Sequence, residues 1–237
     1  MSYKDTKAVV LLSGGQDSTT ALFWARLQFD ELHCVSVDYG QRHVRELEAA
    51  QKIAERAGAK THVTLDLPAL SQIGDSALVS ADDEITGDGG YADHADGGPG
   101  AAGLPTSYVP GRNLLLLSMA AAVATKVGAH DVVTGVCQTD FSGYPDCRRS
   151  FVDALEGTLV QAMPTQALPL RILTPLMHLD KAQTVRLAQR LPGCMDALAL
   201  SHTCYQDVER GCGTCPACEL RIKGFAEAGV VDPMRGE

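Results

Sequence analysis

The chain has 237 residues, 45% hydrophobic and 21% charged, which suits one large α/β domain and is short for two. Its net charge of −9 excludes a sequence-independent grip on nucleic acid, which needs a basic footprint. No apolar run has the length of a membrane span, and Met1 to Asp5 opens without a signal-peptide core, so a soluble, cytoplasmic protein is expected.

The first predicted element is a strand from Ala8 to Leu12, followed by Ser13-Gly14-Gly15-Gln16-Asp17-Ser18 and a helix-like segment from Thr19 to Leu27. A strand, a glycine turn and a helix start in that order build an anion site. The glycines let backbone approach a phosphate, and the first amides of the helix point at it with the positive end of the dipole. Ser13, Ser18 and Thr19 add hydroxyl donors. The loop lacks the Gly-Lys-Ser/Thr ending of a Walker A loop. It holds a carboxylate instead, Asp17, which makes sense in a phosphate nest when it places a magnesium ion.

Further along, Leu32 to Val37 reads as a second strand ending in the polar loop Asp38 to His43, and Arg45 to Ala57 as an amphipathic helix closed by Gly58. His62 to Leu65 is a third strand, which completes a β-α-β-α-β opening of a doubly wound sheet. Periodicity then dissolves. The segment 75–107 carries many acidic residues and glycines and no Lys or Arg, so a mobile surface loop is expected there. Order returns at Val109-Pro110-Gly111-Arg112-Asn113, which leads into a helix from Leu114 to Val127, apolar almost all round and expected to be buried on the sheet.

A fourth strand, Asp131 to Val136, runs into a polar and aromatic loop containing Cys137, Asp140, Tyr144, Asp146 and Cys147. A helix from Arg149 to about Met163 and a fifth strand, Leu170 to Leu173, follow. Asp180 with Gln183 three residues later predicts a capped helix running to Arg190. The spacing of Cys137 and Cys147 fits no redox motif, and both read as loop thiols. Cys34 reads as core.

In the tail, Cys204, Cys212, Cys215 and Cys218 stand at spacings that let four thiolates surround one tetrahedral ion. Four identical ligands leave no open position, so a structural zinc is expected, with an iron–sulfur cluster as the alternative. From Cys204 to Glu237 six acidic residues face four basic ones, which gives the tail no basic face for nucleic acid. A helix from Pro216 onward would clamp the chain end to the main domain. The expected division is a nucleotide-binding α/β domain over 1–200 and a zinc-binding segment over 201–237.

The Ser-Gly-Gly-x-Asp-Ser pattern after a first strand resembles the PP-loop of the ATP pyrophosphatase superfamily, which cuts ATP between the α- and β-phosphates. Four further stretches narrow the resemblance to the 7-cyano-7-deazaguanine synthase family: Asp-Tyr-Gly-Gln-Arg-His at 38–43, Val-Pro-Gly-Arg-Asn at 109–113, the whole of 134–148, and Thr-Pro-Leu-Met at 174–177. Asp-Lys-Ala at 180–182 and the tail cysteines extend it over most of the chain.

The resemblance implies a fold of the adenine nucleotide α-hydrolase type, a doubly wound, mostly parallel sheet of about five strands. It implies an ATP-dependent ligase making a nitrile from 7-carboxy-7-deazaguanine and ammonia through adenylated acid and amide, in queuosine biosynthesis. A transfer-RNA sulfurtransferase of the same superfamily is the alternative. The implied cofactors are ATP, Mg2+ and Zn2+, and the expected assembly is a homodimer acting on small molecules, without nucleic acid or membrane. Leu12, Ser13, Gly14, Gly15, Gln16, Asp17, Ser18, Thr19 and Thr20 would hold the nucleotide. Asp17, Lys181 and Arg112 would serve catalysis by placing metal and neutralising phosphate charge; the bland alternative makes Lys181 an exposed first-turn lysine and Arg112 a surface charge. Arg112, Asp140, Tyr144 and Asp146 would meet the deazaguanine, unless their loop is only a structural turn.

Overall fold

The computed structural model describes residues 6–40, 44–72, 107–139, 144–163 and 168–236. Five strands, β1 (Lys7–Leu11), β2 (Glu31–Asp38), β3 (Thr61–Asp66), β4 (Asp131–Val133) and β5 (Arg171–Leu173), form one sheet in the order β3-β2-β1-β4-β5. All four pairings are parallel. The chain winds from β1 outward through β2 to β3 and then returns to β4 on the other side. The order therefore reverses between β1 and β4, and in open parallel sheets ligands sit at such a switch, beyond the carboxyl ends of the strands.

Alternation along β1 sets up two cores. Ala8, Val10 and Leu12 pack on one face with helices α1 (Gln16–Ala25), α2 (Val44–Ala57), α5 (Lys181–Arg190) and α6 (Cys194–Leu198). Val9 turns to the other face, with Val35, Val37 and helices α3 (Arg112–Val127) and α4 (Arg149–Ala162). Each fully buried aliphatic side chain contributes about 1.5–3 kcal/mol relative to exposure. Of the predicted α2 face, Leu47, Ala50, Ile53, Ala54 and Ala57, the last four are buried and Leu47 is half-buried.

Three expectations change. Helix α1 begins at Gln16 rather than Thr19, because Gly15 in extended conformation already acts as its N-cap and frees the Gln16, Asp17 and Ser18 amides. Strand β4 ends at Val133, since Thr134 makes its backbone bond to Leu173 and the chain then leaves the ladder. Helix α3 is not buried all round. It lays Leu117, Ala120, Ala121 and Ala124 on the sheet and leaves Leu114 43% exposed. The Asp180–Gln183 capping box forms as expected. Most of the acidic stretch 75–107 lies outside the described residues.

The tail crosses the domain. Helix α7 (Pro216–Ala228) packs on α5, and at Gly224 the backbones come so close that a Cβ would lie 2.4 Å from Lys181 Cγ. Below it Arg221, 1% exposed, gives Nε and Nη2 to Asp232 at 2.7 and 2.8 Å and Nη1 to Ser201 and Thr203 at 2.8 and 3.0 Å. A buried guanidinium so fully bonded costs little to keep and much to break. It fixes the Ser201–Thr203 strip, and the His202 N–H donates to the Gly14 carbonyl at 3.0 Å.

Candidate active site

A cavity of about 300 Å³ opens at the β1/β4 switch. Its floor is the loop after β1. The Ser13 N–H donates to Ser18 Oγ at 3.2 Å, the two serine hydroxyls lie 3.1 Å apart, and Ser18 Oγ donates to the Gly15 carbonyl at 3.2 Å. These bonds curl the backbone so that the first amides of α1 surround one concavity. Gly14 is required there. Its φ of +86° is in the left-handed region, and a Cβ would fall 2.2 Å from the Glu46 carbonyl of α2.

Behind the floor, Ser36 Oγ of β2 donates to the Leu12 carbonyl at 2.6 Å and meets His62 Nε2 at 2.7 Å. That buried chain holds the strand end from which the loop springs.

Asp17 and Lys181 come together from opposite ends of the sequence: Nζ lies 2.8 Å from Oδ2 in the cavity wall. Lys181 is no exposed surface lysine. The crossing of α7 at Gly224 presses its stem, and its side chain is 14% exposed. Leu12, Ser13, Gly15, Gln16 and Ser18 also line the cavity. Gln16 is 3% exposed, and its Nε2 is buried with no hydrogen-bond partner among the described residues. Thr19 and Thr20 turn away from the cavity, donating to the Gly15 and Gln16 carbonyls at 2.8 and 2.9 Å.

The opposite wall is aromatic and cationic. Arg112 stands at the start of α3 with its guanidinium 5.7 Å from the Tyr144 ring centre, and Tyr39 and Tyr205 line the same space. Tyr144 is buried, its hydroxyl 2.5 Å from Ser107 Oγ. Asp146 sits behind this wall. Its Oδ2 accepts the Asn113 N–H at 3.1 Å, which secures the first turn of α3. Its Oδ1 is buried with no hydrogen-bond partner among the described residues. Cys137 and Cys147 line the cavity too, with Asn113 Nδ2 donating to the Cys147 sulfur at 3.3 Å. Burial pushes Cys34 up to about 12, as suits an inert core thiol. Asp140 and His43 lie outside the described residues.

Sequence reasoning passed over Glu46, Tyr205 and the Gly14–His202 contact. Tyr205 had a faint signal, standing next to the first tail cysteine. Glu46 had none, since a glutamate in the first turn of an amphipathic helix reads as solvated.

The tail cysteines converge: their four sulfurs all lie within 4.8 Å of one another. The Cys212 and Cys218 sulfurs are 3.9 Å apart, close to the roughly 3.8 Å edge of a tetrahedron with bonds of about 2.3 Å. Backbone N–H groups of Gln206 and Cys212 donate to the Cys204 sulfur, and those of Thr214 and Cys215 to the Cys212 sulfur. The adjacent Cys218 thiol lowers Cys215 to about 5 against the effect of burial, helped by the Cys218 and Tyr205 amides. Such a nest suits thiolates around a metal ion.

Comparison with known proteins gives a consistent picture. Residues 7–229 match the family model described as queuosine biosynthesis protein QueC. The chain is 49% identical over 232 residues to a 7-cyano-7-deazaguanine synthase of Chromobacterium violaceum, covering 97% of this chain and 93% of that protein. It is 46% identical to the protein of that name from Bacillus subtilis, covering 99% of each. Among solved structures, a 4-thiouridine synthetase in complex with RNA and ATP superposes with a TM-score of 0.51 at 15% identity, over 94% of this chain and 50% of that one. That likeness speaks for the fold.

Proposed function

The chain belongs to the QueC family of queuosine biosynthesis proteins, and from that premise we propose that it is a 7-cyano-7-deazaguanine synthase whose cavity at the β1/β4 switch carries out both adenylations. The observation that carries this reading is the facing of two unlike walls across one space. Asp17, in the first turn of α1 beside the phosphate-binding loop, and Lys181, brought to it by the start of α5, form one wall, and Arg112 and Tyr144 stand opposite.

Conversion of a carboxylate to a nitrile requires oxygen to leave twice, and oxide is no leaving group. Transfer of an adenylyl group from ATP makes each departing oxygen part of AMP. The substrate oxygen attacks phosphorus directly, so the protein supplies position and charge rather than a covalent nucleophile. In this reading the α1 amides with Ser13 and Ser18 hold the pyrophosphate end, and Lys181 neutralises charge there. Asp17 would hold magnesium, whose chemistry is to offset phosphate charge. Arg112 and Tyr144 bound the ring pocket, with Asp146 holding the first turn of α3 in place behind them.

The cysteine nest takes zinc in a structural role, and residues 201–237 serve as a clamp on a nucleotide-binding domain spanning 1–200. The working form is a cytoplasmic homodimer that acts on small molecules without binding nucleic acid. No helix among the described residues is long and apolar enough to cross a membrane.

The test is a count of AMP formed per nitrile. Starting from the acid and ammonium, twice as much AMP should appear as from 7-amido-7-deazaguanine, which should need no ammonium. ADP as product, or equal counts from both substrates, would overturn the reading.

A further inference from the structure

Among the described residues the cavity is lined by two carboxylates, Asp17 and Glu46. Asp17 is held by Lys181. No described side chain hydrogen-bonds to the Glu46 carboxylate, although α2 places it with precision. The Glu46 carbonyl is seated against Gly14, so the residue is carried on the phosphate-binding loop itself. It shares the cavity with Arg112 from α3, Tyr39 from the end of β2 and Tyr205 from the tail, and Asp207 of the tail acts on its charge from outside the lining.

The proposed reaction moves protons as well as phosphates. Ammonium must lose a proton to become a nucleophile, its adduct must lose another, and an adenylated amide must lose both N–H protons to become a nitrile. Lys181 and Arg112 are cations suited to phosphate, and a guanidinium cannot act as a base in a protein. We propose that Glu46 is the base that takes these protons from nitrogen, which makes its corner of the cavity the site for the incoming ammonia; this rests on the functional reading above.

In the first stage the nitrogen lone pair forms the C–N bond. The C–O bond to AMP breaks with its electron pair on the phosphate oxygen, and the N–H proton passes to the carboxylate. In the second stage one N–H proton leaves the adenylated amide for Glu46. After that proton is shed to solvent, the other follows. Its N–H electrons form the third C–N bond as the C–O bond breaks toward AMP.

Burial, opposed by Arg112 and aided by Asp207, raises Glu46 to about 8, near the pH at which a base is most useful. The base form lies above that value, so nitrile formation from the amide should rise with pH through about 8.

The experiment compares wild type with Glu46→Gln, which keeps the side-chain volume, and with Glu46→Asp, which keeps a carboxylate. Acid-dependent exchange of pyrophosphate into ATP reports adenylation alone and should stay within about threefold of wild type in Glu46→Gln. Nitrile formation from acid and from amide should fall about 10²-fold or more, with part of the rate recovered in Glu46→Asp. Hydroxylamine, which is uncharged at neutral pH, should trap the adenylated acid in Glu46→Gln almost as fast as in wild type. Equal losses of exchange and nitrile formation, or an unchanged nitrile rate, would overturn the proposal. So would a wild-type profile from the amide that is flat through pH 8, whether or not the variants fold. Absence of acid-dependent exchange in wild type would overturn the functional reading instead.

Discussion

The two walls of the cavity are made in opposite ways. The phosphate wall is built on one contiguous stretch, Ser13 to Ser18, shaped by backbone and three local hydrogen bonds of its serine hydroxyls, with Lys181 added from α5. The facing wall is gathered from four separate stretches: Tyr39 just after β2, Arg112 at the start of α3, Tyr144 in the connection before α4, and Tyr205 in the connection between α6 and α7. A contiguous wall is as rigid as its local geometry. A gathered wall is only as rigid as the packing that delivers its parts. Substitutions should therefore act locally on the first and globally on the second.

The largest effect is expected at the far support of the gathered wall. In Cys215→Ser, zinc should fall from one per chain toward none, and the tail that carries Tyr205 should lose its fold, since metal binding and local folding are one process. Metal analysis alongside thermal unfolding checks this; full zinc content in a stable variant would break the comparison.

Next comes Asp17→Ala. Pyrophosphate release should drop about 10²- to 10³-fold with the melting temperature almost unchanged, because the side chain serves the cavity and not the core. Wild-type release at saturating magnesium would count against the phosphate wall as described.

Gly14→Ala sharpens the contrast, since Gly14 is where the phosphate loop meets the backbone of α2. A left-handed φ and a Cβ 2.2 Å from the Glu46 carbonyl should cost about 2–4 kcal/mol of stability. ATP affinity should weaken in the same variant. Denaturant unfolding with an unshifted midpoint would show that α2 gives way more easily than its packing suggests.

The smallest effect is expected for Tyr144→Phe, which removes the 2.5 Å bond to Ser107 and keeps the ring beside Arg112. A loss of about 1 kcal/mol in stability, with a raised KM for the acid and little change in kcat, would place Tyr144 among residues that shape the pocket. A collapse of kcat alone would move it into the chemistry.

The same contrast explains what could be read from the chain before its structure. The apolar run Ala8 to Leu12, the glycines of the loop and the Asp180–Gln183 box are short-range patterns whose physics is complete within a few residues, and all three form the strand, turn and cap expected of them. The doubly wound, parallel sheet followed from the β-α-β alternation and connection rules, while its strand order came from the structure. The cysteine nest was legible because thiols at close spacing have few other uses. Glu46 was not legible, because the groups that set its charge, Arg112 and Asp207, approach from distant sequence. The exposed flank of α3 was misjudged for a related reason: composition tells how apolar a helix is, while only its neighbours decide which side they cover. Asp146 was placed in the right loop, but its bond to the Asn113 amide depends on a helix start thirty-three positions away.

The notch at Gly224, where α7 lies against the stem of Lys181, has a consequence for the order in which the protein comes to life. Strands and phosphate loop are synthesised first and can assemble as they emerge. The lysine that completes the site is wedged into place only when α7, made after it, arrives. A chain interrupted before Pro216 would thus carry an intact nucleotide cradle and stay silent, unable to spend ATP on a half-built enzyme.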